Sequence, residues 1–211
     1  MKKKIAIVAG GDSSEHEVSL RSAAGILSFM DAERYDCRIV AQRGQSMHVL
    51  DGEHQYPVNL HDFSYEVDGK RQTFDFAYIT IHGTPGENGI LQGYFDLIGL
   101  PYSTSGVLVE ALTFNKFALN NYLRALPGIH VSDSLMVRRG QTLPTPEEVV
   151  ECVGLPCFIK PNAGGSSFGV SKVKALEEVI PAIHKAMDES DEVMIERQLV
   201  GTEITCGCFC R

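Results

Sequence analysis

The sequence contains no tryptophan, and aromatic residues fill only 8% of its 211 positions. No apolar run approaches the ~20 residues that a membrane-spanning helix requires. A basic surplus is missing too: 19 lysines and arginines face 27 aspartates and glutamates, a formal charge of −8. Nucleic acids and anionic membranes select basic surfaces, so neither is expected as a partner, although a locally basic site can sit inside an acidic protein. After Met1-Lys2-Lys3-Lys4 the apolar stretch 5–9 is too short for an export leader, and Asp12, Glu15 and Glu17 follow at once. With no leader expected, Cys37, Cys152, Cys157, Cys206, Cys208 and Cys210 read as reduced thiols of a cytoplasmic protein. Cys206, Cys208 and Cys210 alternate along an expected strand. They read as small buried hydrophobes rather than a soft-metal site, because no nearby histidine completes a ligand set.

What is present is ordinary for a folded chain: 44% hydrophobic and 22% charged residues. Residues 4–9 form an apolar, β-branched run ending at Gly10-Gly11, the pattern of a buried parallel strand. Ser14 and Glu17 have the spacing of a capping box, so a helix is expected from there, with Val18, Ile26, Leu27 and Met30 on one stripe. Residues 37–41 read as a strand, 47–50 and 54–58 as a peripheral hairpin about Asp51-Gly52, 76–82 as a buried strand and 90–98 as a helix. This order is that of an open doubly wound α/β domain. Gly99-Leu100-Pro101 interrupts it, which places a boundary near residues 103–106.

Beyond the boundary the patterns predict helical segments over 107–126 and strands at 131–137, 157–160, 170–173 and 193–196. Helices are expected at 147–153 and 175–187, which makes a small α+β unit. Residues 203–209 read as one further strand.

Three segments carry candidate chemistry. In Lys160-Pro161-Asn162-Ala163-Gly164-Gly165-Ser166-Ser167-Phe168-Gly169, small residues let backbone N–H groups converge on an anion, and Lys160 can neutralise it. The spacing differs from a Walker-A loop, and phosphate binding is favoured over a plain flexible hairpin. Gly10-Gly11-Asp12-Ser13-Ser14-Glu15-His16-Glu17-Val18-Ser19 lies at a strand's carboxyl end, where open α/β sheets bind ligands. The helix N-terminus can take a carboxylate and Glu15 an ammonium, as a zwitterionic amino acid needs; simple helix capping accounts for the same residues. His82-Gly83-Thr84-Pro85-Gly86-Glu87-Asn88-Gly89 follows a buried strand and should face the same crevice. Lys116 has surface solvation as its default role. Glu196, Leu199 and Glu203 flank a connection that can bind an adenine edge and a ribose.

Together these segments resemble the D-alanine–D-alanine ligases of the ATP-grasp superfamily. The carriers are residues 10–19, residues 82–93 with His82, Gly83, Gly86, Glu87, Asn88, Gly89, Leu91, Gln92 and Gly93, and residues 160–172. The resemblance covers essentially the whole chain. It implies an α/β fold: an open parallel-sheet N-terminal domain over 1–104, a small α+β ATP-grasp subdomain over 105–196, and the first strand of a truncated C-terminal ATP-grasp domain over 197–211. It implies Glu15 and Ser166 as catalytic residues, with Glu15 on the ammonium of the first D-alanine, and Val18 and His82 beside that substrate. Lys116, Lys160, Ser167, Glu196, Leu199 and Glu203 become the ATP-binding residues. The implied cofactors are ATP and Mg2+ or Mn2+, the partners D-alanine and a second copy of the chain, and the product a dipeptide for peptidoglycan.

In this family the chain continues well past residue 211, and the remainder supplies the metal-binding carboxylates and asparagine, an arginine and a closing loop. These 211 residues alone are therefore expected to be inactive, with no metal ligand of their own. Two other readings stand beside this one: a sister ligase making D-alanyl-D-lactate or D-alanyl-D-serine, and a non-catalytic module that binds nucleotide or amino acid.

Overall fold

A computed structural model describes residues 2–165 and 167–207. The chain divides into two compact units, one over Met1–Leu119 with Ala163–Gly165, the other over Asn120–Asn162 with Ser166–Arg211.

The first unit opens with β1 (Lys3–Gly10), α1 (His16–Phe29), β2 (Tyr35–Arg43), β3 (Ser46–Asp51) and β4 (His54–Pro57). It continues with the short hairpin β5 (Tyr65–Val67) and β6 (Lys70–Gln72), then β7 (Phe76–Ile79), α2 (Ile90–Ile98) and α3 (Val107–Phe114). Five strands form one sheet in the order β4-β3-β2-β1-β7. β2, β1 and β7 run parallel, while β3 and β4 fold back antiparallel at the edge. After Lys3 and Lys4, β1 is apolar from Ile5 to Ala9, where both of its faces are covered. Ile7 and Ala9 pack with Ala23, Leu20 and Ile26 of α1. Ala6 and Val8 face the cluster of Val40, Ala77, Ile79, Leu91 and Phe95.

The two units are joined through α4 (Lys116–Arg124). The second contains β8 (Ser134–Arg138), α5 (Pro146–Val153), β9 (Cys157–Pro161), β10 (Ser171–Val173), α6 (Val179–Met187) and β11 (Glu192–Arg197). Its antiparallel sheet has the order β10-β9-β11-β8. One face is apolar: Val137, Cys157, Ile159, Val173, Val193 and Ile195 pack on Val149 and Val153 of α5 and on Val179 and Ile183 of α6.

The open α/β class with its edge hairpin agrees with the sequence reading, and four local expectations are corrected. The capping box at Ser14 and Glu17 does not form: Glu15 is the N-cap of α1, with no side-chain cap bond. The box sits instead on α5, where Thr145 accepts from the Glu148 N–H and the Glu148 side chain accepts from the Thr145 N–H. The strand expected over 76–82 ends at Ile79, because the ladder closes once the Thr80 N–H has bonded to Val8 O. Residues 203–207 of the strand expected at 203–209 are exposed and outside any strand, since a strand exists only through ladder bonds to a neighbour. Cys206 is exposed there rather than buried; Cys208 and Cys210 lie outside the described residues.

Candidate active site

In the first unit two loops leave the carboxyl ends of β1 and β7. The β1 loop is braced from beneath: Asp12 Oδ1 accepts the Gly44 N–H at 2.7 Å, and Arg43 donates to Gly11 O at 3.0 Å. His16 Nδ1 donates to the same carbonyl at 2.8 Å, which leaves Nε2 as the ring's remaining polar atom. The β7 loop is held by its own side chains. Glu87 Oε2 accepts the Gly83 N–H at 2.6 Å, Asn88 donates to Thr84 Oγ1 at 2.7 Å, and the buried Gln92 donates to Gly86 O at 2.6 Å.

The two loops are also tied to each other. Ser19, fully buried in the first turns of α1, accepts from the Gly10 N–H at 2.9 Å and donates to Thr80 O at 2.7 Å. Asp12 N–H donates to Thr84 O at 2.9 Å. Ser13 Oγ donates to His82 O at 2.7 Å and accepts from Glu15 N–H at 3.2 Å.

Glu15 is only 7% exposed. A buried carboxylate at a helix entry can accept charge-assisted hydrogen bonds from a cationic group. Gly164 and Gly165 belong to this unit as well. A Cβ on Gly165 would come within 2.7 Å of Glu15 Oε2, so the glycine-rich backbone lies directly against that carboxylate. Lys116, the first residue of α4, donates from Nζ to Gly164 O at 2.8 Å. In α3, burial pushes the Glu110 carboxyl above its ordinary range against the hydrogen bond it accepts from the Ser105 N–H, and the Glu87 charge adds to the rise.

In the second unit, opposite pairs in the β9–β11 ladder set Lys160 and Glu196 on one face, away from the apolar core. They form an ion pair of 2.5 Å, with side chains 21% and 17% exposed. The glycine-rich loop is anchored by Asn162, which is fully buried. Its N–H donates to Glu192 O and its Nδ2 to Glu192 Oε2, both at 2.8 Å, while Arg138 holds Glu192 Oε1 at 2.9 Å. Ser167 has a left-handed φ of 59° and is exposed.

The expected site residues thus fall into groups. Glu15 and His82 are linked through Ser13, while Val18, three residues into α1, is exposed. Lys160 and Glu196 are joined to each other. Leu199 and Glu203 are exposed in the irregular segment after β11. Ser166 lies outside the described residues. Among the described residues no group of three or more histidine, cysteine, aspartate or glutamate side chains could hold a metal ion. No helix among them is long and apolar enough to cross a membrane.

Three residues that sequence reasoning left without a role acquire one. Ser13 joins the loops, and Asn162 with Glu192 anchors the glycine-rich segment. Ser13 and Asn162 were visible only as members of their motifs. Glu192 gave no local signal, being 30 positions from Asn162.

Comparisons with known proteins bear on this geometry. Residues 4–105 match the family model described as D-ala D-ala ligase N-terminus, and residues 123–210 that of the D-ala D-ala ligase C-terminus. A D-alanine–D-alanine ligase of Phocaeicola vulgatus is 62% identical over 211 residues, covering 99% of this chain and 64% of the relative. The VanG D-Ala:D-Ser ligase from Enterococcus faecalis superposes with a TM-score of 0.80 at 30% identity, over 95% of this chain and 64% of that one. A D-alanine–D-alanine ligase from Bacillus anthracis complexed with ATP gives a TM-score of 0.72 at 25% identity, over 94% and 60% of the two chains. This chain therefore spans less than two thirds of the length of its relatives.

Proposed function

This chain belongs to the D-alanine–D-alanine ligase family, and on that premise we propose that it grips the amino acid and the nucleotide in an enzyme joining two D-alanines. The observation that carries the proposal is the buried Glu15 carboxylate at the mouth of α1, linked through Ser13 to His82. In this reading Glu15 holds the ammonium of the first D-alanine, with Val18 and His82 beside it. The D-alanine carboxylate oxygen attacks the γ-phosphorus of ATP, the bond to the ADP oxygen breaks, and an acyl phosphate forms. The amine of the second D-alanine then attacks the acyl carbon, gives up a proton, and expels inorganic phosphate.

The residues of this chain would contribute position and charge rather than covalent chemistry. Lys116 and Lys160 would face the phosphates, and Ser166 and Ser167 would close the glycine-rich loop over the reacting groups. Glu196 and Leu199 would read the adenine and Glu203 the ribose. Magnesium or manganese would accompany ATP and neutralise its phosphates. We assign the amino-acid role to residues 1–104, the nucleotide role to 105–196, and the start of a C-terminal ATP-grasp domain to 197–211. A cytoplasmic location, a homodimer and a place in peptidoglycan precursor synthesis complete the proposal.

The test uses the enzyme that contains this chain, supplied with ATP, magnesium and D-alanine, with D-serine or D-lactate as competing acceptors. Release of D-alanyl-D-alanine with one phosphate per dipeptide supports the reading, and a predominant mixed product supports the sister ligase instead. Glu15→Gln removes one partner of a buried charge pair, an effect of about 2–5 kcal/mol, so the D-alanine requirement should rise by at least ~30-fold. Unchanged kinetics would remove Glu15 from its role.

A further inference from the structure

We infer that Ser13 is a positioning residue that sets the separation of Glu15 and His82; the inference rests on the amino-acid reading of these loops. A single hydroxyl connects the backbones of the two residues placed at the substrate: the Glu15 N–H donates to Ser13 Oγ at 3.2 Å, and Ser13 Oγ–H donates to His82 O at 2.7 Å. The pairing spans 69 positions of sequence, so it is a tertiary tie and not local turn chemistry alone.

The close approach is built in from the other side too. A Cβ on Gly83 would stand 2.9 Å from Ser13 Cβ, so residue 83 must be glycine for the serine to reach the carbonyl. Asp12 N–H to Thr84 O, at 2.9 Å, runs alongside and keeps the loops in one register. Without the Ser13 hydroxyl, the His82 carbonyl and the Glu15 amide lose their shared partner, while the Ser19 tie deeper in the sheet remains. The consequence is looser placement of Glu15 and His82, not an unfolded unit.

The experiment uses the isotope-labelled 211-residue chain, following amide hydrogen exchange and D-alanine-induced shifts by NMR. A net hydrogen bond of about 1 kcal/mol corresponds to a factor of ~5. Ser13→Ala should therefore speed exchange at the Glu15 and Asp12 amides about fivefold and weaken D-alanine binding by a similar factor, with melting nearly unchanged. Ser13→Thr, which keeps the hydroxyl, should restore both, and its isostere Ser13→Val should not. Unchanged exchange at Glu15, or wild-type D-alanine affinity in Ser13→Ala, overturns the inference. Should the wild-type chain show no response to D-alanine, the amino-acid reading of these loops fails and exchange alone decides the positioning claim. Where alanine prevents folding, the threonine and valine variants carry the comparison, and equal behaviour of the two overturns it.

Discussion

Gly10→Ala asks whether the end of β1 is held where the site requires it. A Cβ at this position would lie 2.4 Å from Gln42 O and 3.0 Å from His16 Cε1. The imidazole can swing aside, but the carbonyl cannot. Gln42 is the ladder partner of Gly10, and its oxygen accepts the Gly11 N–H at 3.1 Å. The backbone φ of 101° adds strain of about 1–3 kcal/mol for any L side chain. Overpacking contributes about 1–3 kcal/mol more. The sum is roughly 2–6 kcal/mol of lost stability in the first unit.

Gly25→Ala is the matched control. Gly25 is exposed within α1 and its Cβ would meet no atom within 4 Å, so alanine should stabilise by about 0.5–1 kcal/mol. Urea unfolding followed by tyrosine fluorescence reads the right unit. The chain has no tryptophan, and six of its seven tyrosines (Tyr35, Tyr56, Tyr65, Tyr78, Tyr94 and Tyr102) lie in the first unit. With a urea slope of about 1–3 kcal/mol per molar, the Gly10→Ala midpoint should fall by ~0.7 M or more while that of Gly25→Ala rises. A Gly10→Ala midpoint within ~0.2 M of wild type would refute the close packing of the β1 end against Gln42.

Two further predictions concern charge. The Glu110 carboxyl is held above its ordinary range, first by burial and then by the Glu87 charge. The native state therefore binds this proton more tightly than the unfolded chain does, and its contribution to stability declines as pH rises from the ordinary carboxylate range through the raised value. Glu110→Gln should remove that decline from urea midpoints measured across about pH 4 to 7, and an undiminished slope would contradict the assignment. Lys160→Ala leaves the mostly covered Glu196 carboxylate without its ammonium. In the enzyme containing this chain the ATP requirement should rise by tenfold or more, from a lost interaction of about 1.5–3 kcal/mol, and an unchanged requirement would take Lys160 out of the phosphate site.

Where one element buries both faces or repeats at helical spacing, its sequence was enough to find it. β1 is legible because every residue from Ile5 to Gly10 is buried, so its apolar run has no polar interruption. The expected 90–98 helix coincides with α2, because apolar Leu91 and Phe95 recur four apart between flanking glycines. The β5–β6 hairpin escaped notice because each strand is three residues long and β6, Lys70-Arg71-Gln72, carries no apolar residue; the turn Asp68-Gly69 is its clearest signal. The capping box was assigned to the wrong helix because Ser14 and Glu17 share the spacing of Thr145 and Glu148, and spacing alone cannot tell which hydroxyl faces an N–H. At the site, residue types and loops were readable, but partners were not. That Lys160 meets Glu196, and that Ser13 meets His82, depends on strand register and loop approach across 36 and 69 positions.

A crystal structure of this chain grown with D-alanine tests the central claim most directly. The account predicts the amino acid between the β1 and β7 loops, its ammonium about 2.7–3.2 Å from the Glu15 carboxylate and His82 beside it. Electron density for D-alanine elsewhere, with the Glu15 carboxylate untouched at saturating ligand, would contradict it.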